Sequence, residues 1–323
     1  MTCNEAPGEP IFDIGIVGGG PAGLSAAIWS ARYGHTVVVI DSGDPRNWET
    51  RGINGFLGAP GIRPAELRGI GRDELSGYGV SLIDAVVQRI DVVEDGLVTS
   101  NAEIEFEFRL DQRRSVRARR VLLAIGMCDA WPDIPGLSQV YGANAHVCPD
   151  CDGYDARDKR VAVIGHGRRA VAMALALTTW TSMITIVTNG DAADLDDDPE
   201  LQQKLDSCGI TMRTDRVARL GHIDNQITSL YLANGEALDI DKVFFTIAQF
   251  PADDLGAQLG CARDHGGHIV VSEQFAASVS GVFAAGDITP GPQLAIRAAS
   301  EGAVAAMAMH RSLVPEHRKL RET

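Results

Sequence analysis

Short runs of apolar, mostly β-branched residues alternate with stretches that suit helices. The first run, residues 11–17, precedes the glycine-rich turn GGGPAG, a helical stretch over residues 24–33 and a second apolar run at residues 36–40. Runs with so few polar positions are typical of strands that are buried on both faces of a parallel sheet. Strand, turn, helix and strand within about 30 residues therefore predict a βαβ unit.

The same order of elements begins again at residue 160. The segment RVAVIG precedes the turn GHGRRA, a helical stretch over residues 171–180 and an apolar run at residues 183–187. This repeat predicts two domains of the nucleotide-binding type. Near the C-terminus, residues 282–285 predict a short strand, and an Ala-rich helix is expected from about residue 294 to residue 313.

Residues 86–123 alternate in short apolar and charged runs, which predicts antiparallel strands joined by turns. The arginine-rich run RRSVRARR falls within this region. A basic run of this kind can mark a nucleic-acid-binding patch. Because its neighbours alternate like strands, we expect a solvated hairpin instead.

Composition and charge narrow the class of protein. The chain has 323 residues, of which 45% are apolar and 22% charged, and its net charge is −14. Globular domains have this composition, whereas so acidic a surface repels nucleic acids and anionic membranes. No apolar run approaches the ~18–20 residues of a membrane helix, and the start lacks the apolar core of a secretory signal. We expect a cytoplasmic protein with no nucleic-acid or membrane partner.

The first glycine turn carries the fingerprint of a dinucleotide site. Gly18, Gly20 and Gly23 have the GxGxxG spacing, and Asp41 ends the second predicted strand. In this fingerprint one glycine makes the tight turn, one lets the backbone approach a pyrophosphate, and one allows close helix–strand packing. The helix N-terminus offers N–H groups to the diphosphate, and the carboxylate accepts hydrogen bonds from ribose hydroxyls.

The second turn repeats the spacing with Gly165, Gly167 and Ala170. Its second strand ends in residues 188–190 (TNG), which offer neither a carboxylate for a ribose nor an arginine for a 2′-phosphate. The acidic run at residues 191–200 would repel such a phosphate. We expect a Rossmann-like turn that binds NADPH poorly, and its use of any nicotinamide nucleotide stays open.

Cys148 and Cys151 form a C-x-x-C pair that Asp152 follows directly. This spacing suits a redox disulfide, and it can lower one thiol pKa to roughly 3.5–7.5. A neighbouring carboxylate can act as general acid or base. Half of a zinc site and an inert pair are the alternatives. The other four cysteines, which we expect to be ordinary buried or tail residues, stand singly at positions 3, 128, 208 and 261.

The motifs VGGGPAG, CxxCDG and GVFAAGD, in this order, resemble those of the low-molecular-weight thioredoxin reductases and related flavoproteins. The resemblance covers about residues 12–313. It implies an α/β fold of two Rossmann-like (three-layer ββα) domains, the second inserted into the first. Residues 1–130 and 250–323 would form a discontinuous FAD-binding domain, and residues 131–249 a pyridine-nucleotide-type domain with the CxxC. Family members are homodimers whose domains rotate to present the cysteines alternately to flavin and substrate.

The resemblance also implies roles for individual residues. It makes Cys151 the thiol against the flavin, Cys148 the thiol that attacks the substrate, and Asp152 the proton donor. Beyond the glycines of the first turn, the implied FAD contacts are Pro21, Ala22, Asp41, Asn54, Gly286, Asp287, Gln293 and Ala295.

Three functions fit this sequence. The first is an FAD-dependent disulfide reductase that passes electrons to a thioredoxin-like protein; NADPH is a doubtful donor, and NADH, ferredoxin or a second flavin are the alternatives. The second is an O₂-using dithiol oxidase, although the oxidases of the wider group tend to carry His where this chain has Asp152. The third is a flavin-bound redox sensor without turnover. An Asp rather than a His at position 152 favours the reductase.

Overall fold

The structure, a computed structural model, describes residues 10–46, 50–93, 104–111, 114–191 and 199–319. Cys3 and most of the acidic run after residue 191 lie outside the described residues. The chain forms two compact units. The first takes its described residues from the ranges 1–48, 65–128 and 249–323, and the second takes them from the ranges 49–64 and 129–248.

The elements follow one another in three segments. The N-terminal segment contains β1 (Ile11–Val17), α1 (Pro21–Arg32), β2 (Val37–Asp41), α2 (Pro64–Ser76), β3 (Ser81–Asp84), β4 (Val87–Val93), β5 (Glu105–Leu110), β6 (Ser115–Leu123) and β7 (Met127–Ala130). The middle segment contains α3 (Leu137–Val140), β8 (Ala145–His146), α4 (Pro149–Asp152), β9 (Val161–Ile164), α5 (Gly167–Leu177), β10 (Ile184–Val187), α6 (Pro199–Ser207), β11 (Thr211–Arg213), β12 (Val217–Ile223), β13 (Gln226–Leu232), β14 (Ala237–Leu238) and β15 (Lys242–Phe245). The C-terminal segment contains β16 (Ala248–Pro251), α7 (Leu255–Gln258), β17 (Val282–Ala284) and α8 (Ala295–Leu313). Of the described helices, none is long and apolar enough to cross a membrane.

The first unit is built on a sheet with the strand order β3-β2-β1-β6-β5-β4, in which β17 also pairs with β6. Strands β1, β2, β3, β6 and β17 pair in parallel, and β4, β5 and β6 pair antiparallel. The apolar run of β2 is buried on both faces. Val37 and Val39 belong to one apolar core, and Val38 and Ile40 belong to the other. This confirms the predicted βαβ unit and its parallel sheet.

The second unit repeats the architecture on a smaller scale. Its parallel sheet has the order β11-β10-β9-β15-β8, beside a separate antiparallel sheet β12-β13-β14. In β9, Val161 and Val163 pack into one core while Ala162 and Ile164 pack into another. Two Rossmann-like α/β units with the second inserted into the first confirm the predicted fold class.

From Ser115 onward the arginine-rich run lies on β6, which pairs antiparallel with β5 as the hairpin prediction required, and Arg113 lies outside the described residues. The side chains of Arg117 and Arg119 are partly exposed, and they lie within 4.0 Å of Glu105 and Asp13 respectively. Arg120 is the exception, because it is buried and its guanidinium donates to the carbonyl and hydroxyl of Ser312.

The boundaries of the units differ from the predicted domain boundaries mainly in the segment 50–64. This segment was expected in the FAD-binding domain, but it groups with the cysteine-bearing unit. Within this unit the amide of Asn54 donates to the carbonyl of Cys151 and to Asp152. The assignment of FAD to the first unit stays a prediction.

Helix α1 packs closely against its neighbours through glycines. A Cβ on Gly23 would collide with the carbonyl oxygen of Gly18, and a Cβ on Gly302 of α8 would collide with the carbonyl oxygen of Ala22. The absence of side chains at these two positions therefore allows α1 to lie against the glycine turn and against α8.

Gly302→Ala should destabilise the protein because the added Cβ meets backbone that cannot move aside. Overpacking of this kind typically costs about 1–3 kcal/mol, and we expect that loss in the free energy of unfolding measured with urea. Gly69→Ala is the matched control in α2, where no described group outside the helix's own backbone lies within 4 Å of the new atom. It should leave stability unchanged or raise it by about 0.5–1 kcal/mol. Equal stability of the two variants would contradict the close packing.

Candidate functional site

The C-x-x-C pair lies at the start of the short helix α4. Cys148 is the N-cap residue and Pro149 the first helical residue. Cys148 and Cys151 form a disulfide, with their Cα atoms 5.3 Å apart. The backbone N–H of Cys151 donates to Sγ of Cys148 at 3.1 Å.

Asp152 ends α4, and a partner lies close to each of its carboxylate oxygens. Asn54 Nδ2 donates to Oδ1 and to the carbonyl of Cys151, both at 3.2 Å. His146 Nδ1 lies 3.4 Å from Oδ2, and only 18% of the Asp152 side chain is exposed. A carboxylate held in this way directly after Cys151 can take up or release a proton during thiol chemistry.

The first glycine turn has the shape that a pyrophosphate needs. Gly18 has a φ of 106°, which allows the sharp turn after β1. Gly20 is extended, and no described group lies within 4 Å of the position of a Cβ there. Among the described residues, no side chain caps the start of α1 at Gly20 and Pro21. An open backbone cradle at a helix N-terminus fits a dinucleotide diphosphate.

Asp41 lies at the end of β2 beside this turn, where a Cβ on Gly19 would collide with its carboxylate. Two arginines of α2, Arg68 and Arg72, bind its Oδ2. Burial by itself raises the pKa of Asp41, but the hydrogen bond and charge of Arg68, with the N–H groups of Gly43 and Gly19, outweigh it and lower the pKa. Asp41 is therefore ionised and fixed in orientation.

Gly286 brings the C-terminal segment to the same turn. Its φ is 83°, and a Cβ there would lie 3.0 Å from Cβ of Ala22. Its N–H donates to Oε2 of Glu301 at 2.7 Å. Thr289 donates to the same oxygen. The buried carboxylate of Glu301 thus shapes the Gly286 turn.

Arg46 joins two of the predicted flavin contacts. Its Nη1 donates to Asp287 Oδ2 at 2.9 Å and to Gln293 Oε1 at 2.6 Å. Ala295 is the first residue of α8, which follows Gln293 closely. Sequence reasoning missed Arg46, although it lies in the run DSGDPRN just after Asp41.

The structure therefore places the predicted flavin contacts in two groups. Those of the first turn, Asp41 and the C-terminal segment lie in the first unit, whereas Asn54 lies in the second unit and contacts the redox turn.

The second glycine turn is formed as predicted. A Cβ on Gly165 would collide with Thr246, Gly167 begins α5, and Ala170 is buried. After β10, Asn189 Oδ1 already accepts a hydrogen bond from the N–H of Val217 at 2.8 Å. This side chain is therefore engaged with backbone rather than directed to a ligand.

Arg216 lies beside the end of β10, and sequence reasoning missed it. Its Cβ, Cγ and Nε lie 3.6, 3.8 and 3.8 Å from the position of a Cβ on Gly190. Arg213 of the same connection is bound to Asp215 and Glu236. Arg216 lies in the connection between β11 and β12, which is outside the βαβ unit. No spacing within that unit could therefore have indicated it.

The expectation that the single cysteines are buried is right for one of them. Cys261 is buried, but Cys128 and Cys208 are exposed, because one lies on the short strand β7 and the other follows the end of α6. In the described part of the chain, no group of three or more His, Cys, Asp or Glu side chains is arranged to hold a metal ion.

A glycine cradle in one Rossmann-like unit, and a disulfide followed by a carboxylate in another, are the features of a dinucleotide-binding disulfide oxidoreductase. The chain belongs to the pyridine nucleotide-disulphide oxidoreductase family, whose model matches residues 12–302.

Comparison with known proteins shows which members of this family the chain is similar to. The chain is 28% identical to a probable thioredoxin reductase of Arthroderma benhamiae, over 95% of this chain and 82% of that protein. It is 29% identical to the thioredoxin reductase tcpT of Claviceps purpurea, over 86% of each chain. The crystal structure of HlmI matches with a TM-score of 0.87 at 31% identity, over 96% of this chain and 95% of HlmI.

The chain is thus a thioredoxin-reductase-like flavoprotein and an enzyme that acts on a disulfide. FAD is its cofactor, and the open cradle at Gly20 fits that group. Bound FAD supplies the electron pair that opens or closes a disulfide.

Gly20→Ala should weaken FAD binding without unfolding the protein. The φ of −82° suits alanine, so the stability of the flavin-free protein should change by less than about 0.5 kcal/mol. The new Cβ takes the space where the pyrophosphate approaches, and we expect about tenfold weaker FAD binding, the effect of ~1.4 kcal/mol. The ratio of flavin to protein absorbance measures this. Full occupancy in the variant, as in Gly69→Ala, would place the pyrophosphate elsewhere.

Proposed function

We propose that this chain is a disulfide reductase that passes electrons from FAD to the Cys148–Cys151 disulfide and on to a thioredoxin-like protein. The observation that carries the proposal is the arrangement of Asp152, which Asn54 and His146 hold directly after Cys151. The similarity to a probable thioredoxin reductase supports the choice of acceptor.

The chain's own cysteines carry out the exchange with the acceptor. In the dithiol state, the thiolate of Cys148 attacks a sulfur of the acceptor disulfide, which forms a mixed disulfide and releases one acceptor thiolate. Cys151 then attacks Cys148, restores the enzyme disulfide and releases the second acceptor thiolate. Two electrons and two protons move from the enzyme dithiol to the acceptor. Asp152 moves the proton between Cys151 and the departing thiolate.

We assign FAD to the first unit. The backbone of the turn at Gly18, Gly20 and Gly23 would hold the diphosphate, and Asp41 would accept hydrogen bonds from ribose hydroxyls. Asp287 would bind the ribityl chain. Arg46 fixes Asp287 and Gln293 in the orientation that this contact requires. The buried turn at Gly286 and the carboxylate of Glu301 support the same arrangement.

NADPH is a poor donor in this proposal. Asn189 is bound to backbone, and Arg169 donates to the carbonyl of Ile247. Asp191, after the end of β10, lies 3.8 Å from His166 of the second glycine turn, and its negative charge opposes a 2′-phosphate there. A single exposed arginine, Arg216, lies beside Gly190. One cation replaces poorly the bidentate contacts that a 2′-phosphate usually receives. NADH, a ferredoxin or a second flavin are the alternative donors.

The same weak nucleotide site favours a second candidate, an O₂-using dithiol oxidase. Such an enzyme runs the relay in reverse, from a substrate dithiol to the CxxC disulfide, to FAD and to O₂, and needs no nicotinamide. For either function, we propose a cytoplasmic homodimer. The thiol chemistry of a reducing compartment and the family resemblance support this.

Cys151→Ser should trap the acceptor on the enzyme. This variant keeps the attacking thiol of Cys148 but lacks the thiol that resolves the mixed disulfide, so a covalent complex with oxidised thioredoxin should accumulate after reduction with dithiothreitol. Cys148→Ser is the matched control and should form none. Non-reducing electrophoresis and mass spectrometry detect the complex. A complex with Cys148→Ser instead would exchange the roles of the two cysteines.

NADPH and NADH should reduce the flavin slowly and with similar efficiency in anaerobic stopped-flow experiments. Loss of a charge-assisted contact pair to phosphate corresponds to about 10²-fold weaker binding. Arg216→Ala should change neither rate by more than about twofold, like the control Arg219→Ala. Rapid reduction at micromolar NADPH would contradict this expectation, and its loss in Arg216→Ala would identify the phosphate ligand.

A further inference from the structure

A buried histidine, His146, lies against the redox turn at the end of β8. It is only 5% exposed. Its Nδ1 lies 3.4 Å from Asp152 Oδ2, and its Nε2 is buried without a hydrogen-bond partner among the described residues. A buried polar atom without a partner costs about 1–3 kcal/mol, which an aromatic hydrocarbon side chain at this position would avoid.

The surroundings of His146 offer little besides Asp152. Its ring lies 5.4 Å from that of Phe244, its neighbour in the register of β8 and β15. Lys242 donates its Nζ to the carbonyl of Ala143. Burial lowers the pKa of Lys242, against the opposing charges of Asp155 and Asp152. Among the described residues, Asp152 is the one carboxylate within 4 Å of the His146 ring nitrogens.

We propose that His146 is the positioning residue for Asp152 in thiol–disulfide exchange. This rests on the proposed function in taking Asp152 as the group that moves the exchange proton. Asn54 donates to Oδ1 at 3.2 Å and His146 Nδ1 lies 3.4 Å from Oδ2, so the two side chains together restrict rotation of the carboxylate. Without His146, the carboxylate would be held only by the side-chain amide of Asn54, which is an exposed residue.

The step that depends on this orientation is the resolution of the mixed disulfide. Cys151 gives its proton to Asp152 as its sulfur attacks Cys148; the bond between Cys148 and the acceptor sulfur breaks, and the Cys148–Cys151 bond forms. Asp152 then protonates the departing thiolate. Enzyme dithiol and acceptor disulfide become enzyme disulfide and acceptor dithiol, and no other oxidant or reductant is consumed. Protonation matters most when the departing thiolate is basic.

The test compares two small disulfides as probes. Full-length holoenzyme is reduced with dithiothreitol, desalted anaerobically, and mixed with hydroxyethyl disulfide or with 5,5′-dithiobis(2-nitrobenzoate). The first releases a basic thiolate and the second a weakly basic one. His146→Phe should react at least about tenfold more slowly with hydroxyethyl disulfide and should lose a clearly smaller factor with the aromatic disulfide, because only the first probe needs its departing thiolate to be protonated. The free thiols are trapped by alkylation and counted by mass spectrometry.

Three further variants separate positioning from a merely structural role. His146→Asn carries an amide N–H near the position of Nδ1, and it should recover the rate to within about threefold of wild type. His146→Gln places its amide near Nε2 and should stay slow, which keeps the test readable if His146→Phe fails to fold. His222→Phe, at an exposed histidine of β12, is the control and should match wild type.

A double-mutant cycle gives the decisive outcome. If His146 acts through Asp152, His146→Phe should have no further effect in an Asp152→Asn background. An equal loss in both backgrounds, an equal loss with both disulfides, or wild-type rates in His146→Phe would overturn the proposal. Neither probe requires a nucleotide or thioredoxin. Failure of the wild-type enzyme to reduce thioredoxin would therefore refute the proposed function and leave this comparison readable.

Discussion

The carboxylate of Asp152 is the constraint on which the redox unit depends. A carboxyl group largely withdrawn from water needs polar partners. Asn54, far along the chain, donates to Oδ1, and the ring of His146, close in sequence, lies 3.4 Å from Oδ2. Asn54 connects the segment 50–64 to the redox turn through its hydrogen bonds, and His146 connects the end of β8 to Asp152. The disulfide, the proposed proton carrier and a loop of the predicted flavin domain are thereby joined in one unit.

The first unit has a different constraint, which is the close approach of α1 to the glycine turn and to α8. Glycines at positions 23 and 302 let α1 approach both the turn and α8, and Gly20 leaves the cradle open. Arginine side chains bind the two carboxylates, Asp41 and Asp287, that were predicted to contact the cofactor. Arg68 and Arg72 hold Asp41, and Arg46 holds Asp287. The polar groups are thus oriented by the protein itself.

Features with a local signature could be predicted from the sequence. The buried strands, both glycine turns and the C-x-x-C pair are each encoded within a few residues, and the structure has the strands and turns where the pattern indicated. His146 stands close to Asp152 in the sequence, but no motif marks it. Arg46 and Arg216 gain their roles from contacts with residues far along the chain. No local pattern indicates such contacts. The same reason explains why Asn54 could be recognised from a motif while its contact with Asp152 could not.

The direction of electron flow is the central question about this enzyme, and reoxidation of the reduced protein tests it most directly. Enzyme reduced with a stoichiometric amount of dithionite is mixed with oxidised thioredoxin under nitrogen, or with air-saturated buffer, and flavin absorbance is followed. We predict that thioredoxin reoxidises the enzyme faster than O₂ does, and that Cys148→Ser loses the thioredoxin reaction only. Rapid reoxidation by O₂ while thioredoxin stays oxidised would contradict a reductase and favour the dithiol oxidase.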